Sequence, residues 1–307
     1  DLLKGAELSP ASQGLIIDAL AAAGFPAGVV NYLTCAPADA PALVESLIAH
    51  PAVRRINFTG STPVGRIIAR TCGEHLKPAV LELGSKAPLL VLDDADLEQA
   101  AAGAIFGAFA NAGQICMSTE RIIVDATVAE AFVAQLARRA AALPASLLGP
   151  VVDMKTVTRC NALIEDAQAK GARLLAGGLS DSTQMRATLL DGVTREMRIW
   201  HEESFGPVKS IIRVKDEAEA LAVANESEYG LSSAIYSRDS ARAWNLAQNL
   251  QTGICHINGP TVHDEAQMPF GGCKSSGYGR FGGRAGIAEF TELRWITLQT
   301  VPRELPF

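Results

Sequence analysis

The sequence predicts an α/β protein with two largely parallel sheets. Three observations carry this. Short strand-like runs alternate with helix-period runs along most of the chain, as crossover units require. The strand-like runs are apolar on both alternating faces, as strands covered on both sides are. The alternation breaks at Gly84–Ser85 and then resumes, which suggests that one sheet ends there and a second begins. A length of 307 residues suits about two domains.

The elements follow in order. The opening "DLLKGAELSP" reads as the end of a buried strand leading into a helix. Pro10 to Ala23 has helical apolar spacing, and Gly24 fits its stop. Gly28 to Leu33 is a strand, Pro41 to His50 a helix, Arg55 to Phe58 a strand, Pro63 to Cys72 a helix and Ala79 to Leu83 a strand. Past the break, Ala87 to Leu92 is a buried strand, and Leu97 to Ala110 an alanine-rich helix. Arg121 to Val124 is a strand, and Val128 to Ala142 a helix. Leu143 to Pro150 reads as a connecting loop, Thr156 to Lys170 as a helix and Arg173 to Ala176 as a strand. Strands at Val208 to Val214, Ser232 to Tyr236 and Ile254 to Asn258 are separated by helices at Glu217 to Ala224 and Ser240 to Asn249. No internal repeat or low-complexity segment is present.

Composition narrows the function classes. Apolar residues make up 48% and charged residues 20%, enough for a sizeable core without disulfides or structural metals. The net charge of −6 argues against nucleic acid or an anionic membrane surface as partner. The six cysteines are scattered without a CxxC pair, as free thiols in a reducing, cytoplasmic compartment would be. The five histidines form no HxxxH pattern, so no metal site is expected. No apolar run reaches the roughly 20 residues of a membrane span.

Several segments carry possible chemistry. "FTGSTPVGR" (Phe58 to Arg66) sets glycines and hydroxyls between a strand and a helix, where exposed N–H groups favour phosphate; a plain glycine-rich turn reads equally well. "LELGSK" (Leu81 to Lys86) buries one carboxylate, Glu82, inside an apolar strand. Burial raises a carboxylate's pKa toward a general base's range, unless Glu82 pairs with a backbone group or with Lys86. In "NAGQICMSTERIIV" (Asn111 to Val124), Cys116 follows a small polar turn. It could be a packing residue or a nucleophile with an N–H beside it for an oxyanion. "EESFGPV" (Glu202 to Val208) is a charged loop before a strand. "PFGGCKSSGYGRFGG" (Pro269 to Gly283) holds six glycines, with Phe270, Tyr278 and Phe281 to pack it down.

Taken together and in this order, "FTGSTPVG", "LELGSKAP", "NAGQICMSTERI", "EESFGPV" and "MPFGGCKSSGYGR" resemble the aldehyde dehydrogenase superfamily, over nearly the whole chain. "NAGQICMSTERIIV" and "FTELRWITLQT" look most like its members acting on salicylaldehyde, benzaldehyde and vanillin. The resemblance implies a partial Rossmann-type cofactor domain in residues 1–84 and an α/β catalytic domain in 85–275. It implies that residues 276–307 return to the cofactor domain and form an oligomerisation strand, in a homodimer or homotetramer. It implies that an aldehyde, most plausibly aromatic, is oxidised to its carboxylic acid with NAD. Cys116 matches the nucleophile, forming a thiohemiacetal and then a thioester. Glu82 matches the base for hydrolytic water. Gly60, Ser61 and Gly65 match the turn at the pyrophosphate, and Leu83 stands with the cofactor residues. Lys4 and Glu7 match the pair at the adenosine ribose, where a carboxylate disfavours NADP. Glu203 and Phe205 match residues at the nicotinamide ribose and ring. Phe270, with Ile115 and Met117 beside the thiol, matches the substrate pocket.

Two departures stand out. Family members carry roughly a further third of chain before the equivalent of Asp1, with an asparagine that completes the oxyanion hole. On that basis this chain alone is expected to be inactive. Ser85 stands where the family has glycine, and would be strained if that backbone required positive φ. The connection at "PASLLGPVV" also looks shortened. The rival readings are a catalytically silent fragment or interaction subunit on the same scaffold, and a cofactor-free thiol esterase using Cys116 and Glu82.

Overall fold

A computed structural model describes residues 1–307. The chain forms two compact units: residues 1–56 with 68–78, and residues 57–67 with 79–307. In chain order the elements are β1 (Leu2–Lys4), α1 (Pro10–Ala22), β2 (Asn31–Leu33), α2 (Ala40–Ala49), β3 (Ile56–Thr59), α3 (Thr62–Glu74) and β4 (Ala79–Glu82). There follow β5 (Pro88–Val91), α4 (Leu97–Phe109), β6 (Arg121–Asp125), α5 (Ala126–Ala142), α6 (Ala145–Leu148), α7 (Met154–Ala169), β7 (Arg173–Ala176) and β8 (Thr188–Asp191). The chain continues through α8 (Arg198–His201), β9 (Val208–Val214), α9 (Glu217–Asn225), β10 (Tyr229–Gly230), β11 (Ser232–Tyr236), α10 (Ser240–Ala247) and β12 (Ile254–Ile257). It closes with β13 (Cys273–Lys274), β14 (Gly277–Tyr278) and α11 (Gly283–Glu289).

In the first unit, β1 and β2 pair in parallel, with Leu3 opposite Tyr32. Lys77 Nζ donates to the carbonyl oxygens of Ile48 and His50, closing the end of α2. Helix α1 buries none of its residues.

The second unit is built on a seven-stranded sheet of order β12-β11-β5-β6-β9-β8-β7. Every pairing in it is parallel except β7 with β8. Both faces are covered, so adjacent strand residues serve two cores. Leu89, Ile122, Val124 and Ile211 join Phe132 and Leu136 of α5 on one side. Leu90, Ile123, Leu190 and Ile212 join Leu163 and Ile164 of α7 on the other. Side chains alternate across a strand, so a sheet with two covered faces has no polar phase to its pattern. Aspartates cap five helices: Asp96, Asp125, Asp153, Asp216 and Asp239 each accept from a backbone N–H in the first turn. Helix α4 packs so closely on β11 that a Cβ on Gly103 would stand 1.8 Å from Tyr236 Oη.

Smaller sheets complete the unit. β14, β4 and β3 form one of three strands, with Gly277 opposite Glu82 in an antiparallel pairing. β10 and β13 pair antiparallel. The structure departs from the sequence reading at several places, among them the short elements α8, β10, β13, β14 and α11, which that reading does not include. Leu143 to Pro150 contains the short helix α6 where a loop is expected. β8 is a full internal strand that the sequence reading passes over.

Candidate active site

The turn before Cys116 is left-handed over three consecutive residues. Asn111, Ala112 and Gly113 have φ of 51°, 55° and 71°. Such a backbone disfavours residues other than glycine, so surrounding bonds must hold it. Gln114 Nε2 donates to Asn111 O at 3.1 Å, and its Oε1 accepts from Val152 N at 2.8 Å. A Cβ on Gly113 would lie 2.4 Å from Gly206 O. Beyond the turn, Ser118 N donates to Ile115 O at 2.8 Å and folds the chain around Cys116. Thr119 then bonds Thr261 through their hydroxyls at 2.8 Å, and β6 begins. Cys116 and Ile115 are half-buried and Met117 is buried.

Burial pushes the Cys116 thiol up to about 11, and the charges of Glu82 and Glu203 add to the rise. Backbone N–H groups of Met117 and Cys116 act the other way, favouring the thiolate. Glu82, at the end of β4, is buried, and neither of its carboxyl oxygens has a hydrogen-bond partner. Burial raises its pKa to about 7, opposed by the Arg280 guanidinium. A Cβ on Gly271 would meet Glu82 Oε1 at 2.9 Å, so the glycine-rich segment passes directly over this carboxylate. Lys86 does not pair with Glu82, which removes that structural reading of the glutamate.

Glu203 accepts from Ser85 N at 2.8 Å. Burial, aided by the Glu120 charge, raises it to about 7. Ser85 is buried and is not left-handed, so the strain anticipated from a serine there does not arise. Phe205 is left-handed, with φ of 40°, and partly exposed. The next residue, Gly206, lies over Cys160: a Cβ there would stand 2.5 Å from its Sγ.

Gly60 and Ser61 are exposed ahead of α3. Gly65 is buried against Leu83, whose Cδ2 would stand 2.4 Å from an added Cβ. In the first unit, Lys4 Nζ pairs with Glu7 Oε1, and this bond holds the Glu7 carboxyl below its ordinary range. Phe270 bridges Phe281 through the backbone and lines a cavity of about 350 Å³ with Cys255, His256, His263 and Met268. Ile115 and Met117 are not among that cavity's walls. Electrostatics therefore brings Cys116, Glu82 and Glu203 together, whereas the cavity gathers only Phe270 of the three expected pocket residues.

Sequence reasoning missed a buried charge cluster. Glu120 receives Lys86 Nζ and Lys209 Nζ, each at 2.6 Å, and Ser204 N at 2.9 Å. The available signal was charge inside apolar runs: Lys86 before "APLLVL", Glu120–Arg121 before "IIV", and Lys209 within β9.

The model of the aldehyde dehydrogenase family matches residues 2–296. The chain belongs to the aldehyde dehydrogenase family. Among its relatives, vanillin dehydrogenase of Pseudomonas fluorescens is 61% identical over 312 aligned positions, covering 99% of this chain and 65% of that protein. Salicylaldehyde dehydrogenase of Pseudomonas putida is 48% identical, covering 100% of this chain and 65% of that protein. The crystal structure of a salicylaldehyde dehydrogenase from Pseudomonas putida G7 complexed with salicylaldehyde superposes with a TM-score of 0.97 at 48% identity, over 100% of this chain and 65% of that one. The chain thus spans about 65% of the length of these aldehyde dehydrogenases. No helix in it is long and apolar enough to cross a membrane.

Proposed function

We propose that this chain carries the thiol chemistry of an NAD-dependent dehydrogenase of aromatic aldehydes. The observation that supports it best is Glu82: a buried carboxylate with both oxygens unbonded, raised to about 7, whose charge acts on the Cys116 thiol. Such a group is poised to take a proton near neutral pH. In this reading the Cys116 sulfur adds to the aldehyde carbon, giving a thiohemiacetal. The N–H of Cys116 faces the developing oxyanion. After oxidation the acyl group rests on Cys116 as a thioester, and Glu82 draws a proton from the water that releases the acid.

The residue types present in each unit suit NAD. The N-terminus of α3, with Gly60 and Ser61 exposed before it and Gly65 packed on Leu83, would present the positive end of its dipole to a pyrophosphate, the N–H groups of Gly60 and Gly65 themselves bonding Glu82 O and Ser61 O. Glu7 offers a carboxylate, steadied by Lys4, to the adenosine ribose; that charge would repel a 2′-phosphate. Glu203 is proposed for the nicotinamide ribose and Phe205 for the ring edge. When bound, NAD supplies the hydride acceptor.

Phe270, Ile115 and Met117 are proposed as substrate walls. The aromatic preference is carried over from relatives named for vanillin and salicylaldehyde. We further propose a cytoplasmic homodimer or homotetramer. It would be assembled through residues 276–307, in which Leu293, Trp295, Ile296 and Leu298 are exposed. The domain limits expected at residues 84 and 275 belong to the same proposal.

The test is to incubate the chain, alone and carried in a protein of its relatives' full length, with NAD and vanillin, follow NADH, and search Cys116 for an acyl adduct by mass spectrometry; the chain alone is expected to give none. An acyl group on Cys116 that forms only with NAD supports the reading. Ester cleavage without NAD, or oxidation in a Cys116→Ala chain, overturns it.

A further inference from the structure

Lys86, Glu120 and Lys209 lie inside the second unit, and no proposed chemical step uses them. Their side chains are 0%, 3% and 0% exposed. Each segment bearing a reacting group runs into this cluster. The strand of Glu82 leads on to Lys86, the turn of Cys116 to Glu120, and Glu203 is followed by Ser204. Glu120 Oε1 accepts from Lys209 Nζ at 2.6 Å and from Ser204 Oγ at 2.5 Å. Glu120 Oε2 accepts from Lys86 Nζ at 2.6 Å and from Ser204 N at 2.9 Å. Arg159 Nε donates to Ser204 O at 3.0 Å, fastening the same residue from α7.

Two buried cations face one buried anion here. An uncompensated buried charge costs several kcal/mol, and one lysine would have sufficed to balance Glu120. Arg121 adds a third buried cation beside them: its guanidinium donates to the carbonyl oxygens of Lys86, Val223 and Ala224 and faces Glu226 and Glu120. The acid left over is Glu203. The charged and titratable groups facing it are Glu120, Lys86, Lys209, Tyr229 and the Cys116 thiol, together with the N–H of Ser85. Lys86 and Lys209 favour its ionised form, against Glu120 and burial.

We propose that Lys209 is a positioning residue: through Glu120 and Ser204 it supplies the second buried cation that keeps Glu203 ionised and in place beside the Cys116 turn. With Glu203 ionised, Lys86 and Lys209 stand against two glutamates, Glu120 and Glu203. The use made of an ionised Glu203, to bind a nicotinamide ribose, rests on the proposed function; the charge pairing does not.

The experiment labels the whole chain with carboxyl-¹³C glutamate and follows the titrations by NMR. Glu203 and Glu82 are assigned by the resonances lost in Glu203→Gln and Glu82→Gln. Lys209→Met should raise the Glu203 midpoint by about one pH unit. Glu82, which the lysines do not face, should stay where it is. A merely structural role gives the opposite sign, because loosening admits water and lowers the Glu203 midpoint. An unmoved or lowered midpoint overturns the proposal. Lys209→Gln, which keeps a hydrogen bond to Glu120 without the charge, is read the same way should Lys209→Met fold poorly.

A second arm measures NAD binding to the same variants carried in a protein of the relatives' full length. Lys209→Met should bind several-fold more weakly at neutral pH and recover at alkaline pH, once Glu203 is ionised. A raised midpoint with unchanged NAD binding supports the charge pairing and removes Glu203 from the proposed cofactor contacts. Absence of NAD binding in the unmutated full-length protein overturns the cofactor reading, while the titration still decides the pairing.

Discussion

Gly113 rests on the carbonyl oxygen of Gly206, so close that a Cβ would stand 2.4 Å from it. Two glycines from segments far apart in sequence thus set the turn of Cys116 against the loop of Glu203 and Phe205. Gly113→Ala adds a clash with backbone to an unfavourable φ of 71°. We expect a loss of about 1–3 kcal/mol in urea unfolding and slower alkylation of Cys116. Unchanged stability and reactivity would show that this contact yields freely.

The Cys116 thiol should react slowly with iodoacetamide near neutral pH and faster toward its midpoint of about 11. Glu82 is an anion above about 7 and raises that midpoint. Glu82→Gln should therefore lower it, by about one pH unit. Adducts mapped by mass spectrometry report the residue directly. A midpoint that rises in Glu82→Gln contradicts the proximity of the two groups.

Glu82 also leaves a mark on stability. Its folded-state pKa, about 7, lies above its ordinary value of 4.5. The folded chain then holds a proton that the unfolded chain has released, so stability is full below 4.5 and declines as pH rises through about 7. Glu82→Gln removes the ionisation. It should make the chain more stable than its parent above pH 7, by on the order of 3 kcal/mol, with the advantage disappearing in acid. Denaturant curves at acidic and alkaline pH measure this; a constant difference refutes it.

In an aldehyde dehydrogenase turning over by the proposed route, Glu82→Gln should spare acyl transfer to Cys116 and slow release of the acid. Rapid mixing should then show one NADH per chain followed by a slow steady phase. A lost burst with normal acyl hydrolysis would move Glu82 to the first half of the reaction.

Phe270→Ala should lower kcat/KM for vanillin or benzaldehyde by about tenfold relative to acetaldehyde, the size of one aromatic contact. An equal loss on all three assigns Phe270 to structure instead of recognition.

The strands and helices that line the two cores were legible because apolar runs alternate in period along the chain. The helix starts were less so: Asp125 both ends β6 and caps α5, so strand and helix share a residue and the boundary shifts. β8 escaped notice because only Leu189 and Leu190 are apolar in a polar surrounding, and its burial comes from its place between β7 and β9. Cys116 and Glu82 stood out through their neighbours and the family resemblance. Their coupling did not, since it depends on chain segments that meet only in the fold. Glu120 was passed over for the same reason: its partners lie 34, 84 and 89 residues away.

Glu82 ends a strand of the three-stranded sheet, whereas Cys116 leads into a strand of the seven-stranded one. The stretch from Leu83 to Ala87 is the shortest join between these two platforms in sequence, and it is pinned by Ser276 and Glu203. The join works like a vernier. In the proposed reaction, a substitution at Ser85 would alter the separation of base and sulfur without removing an apolar side chain from either core. Selection, or an engineer, could thus adjust the balance between forming and releasing an acyl group without redesigning either platform.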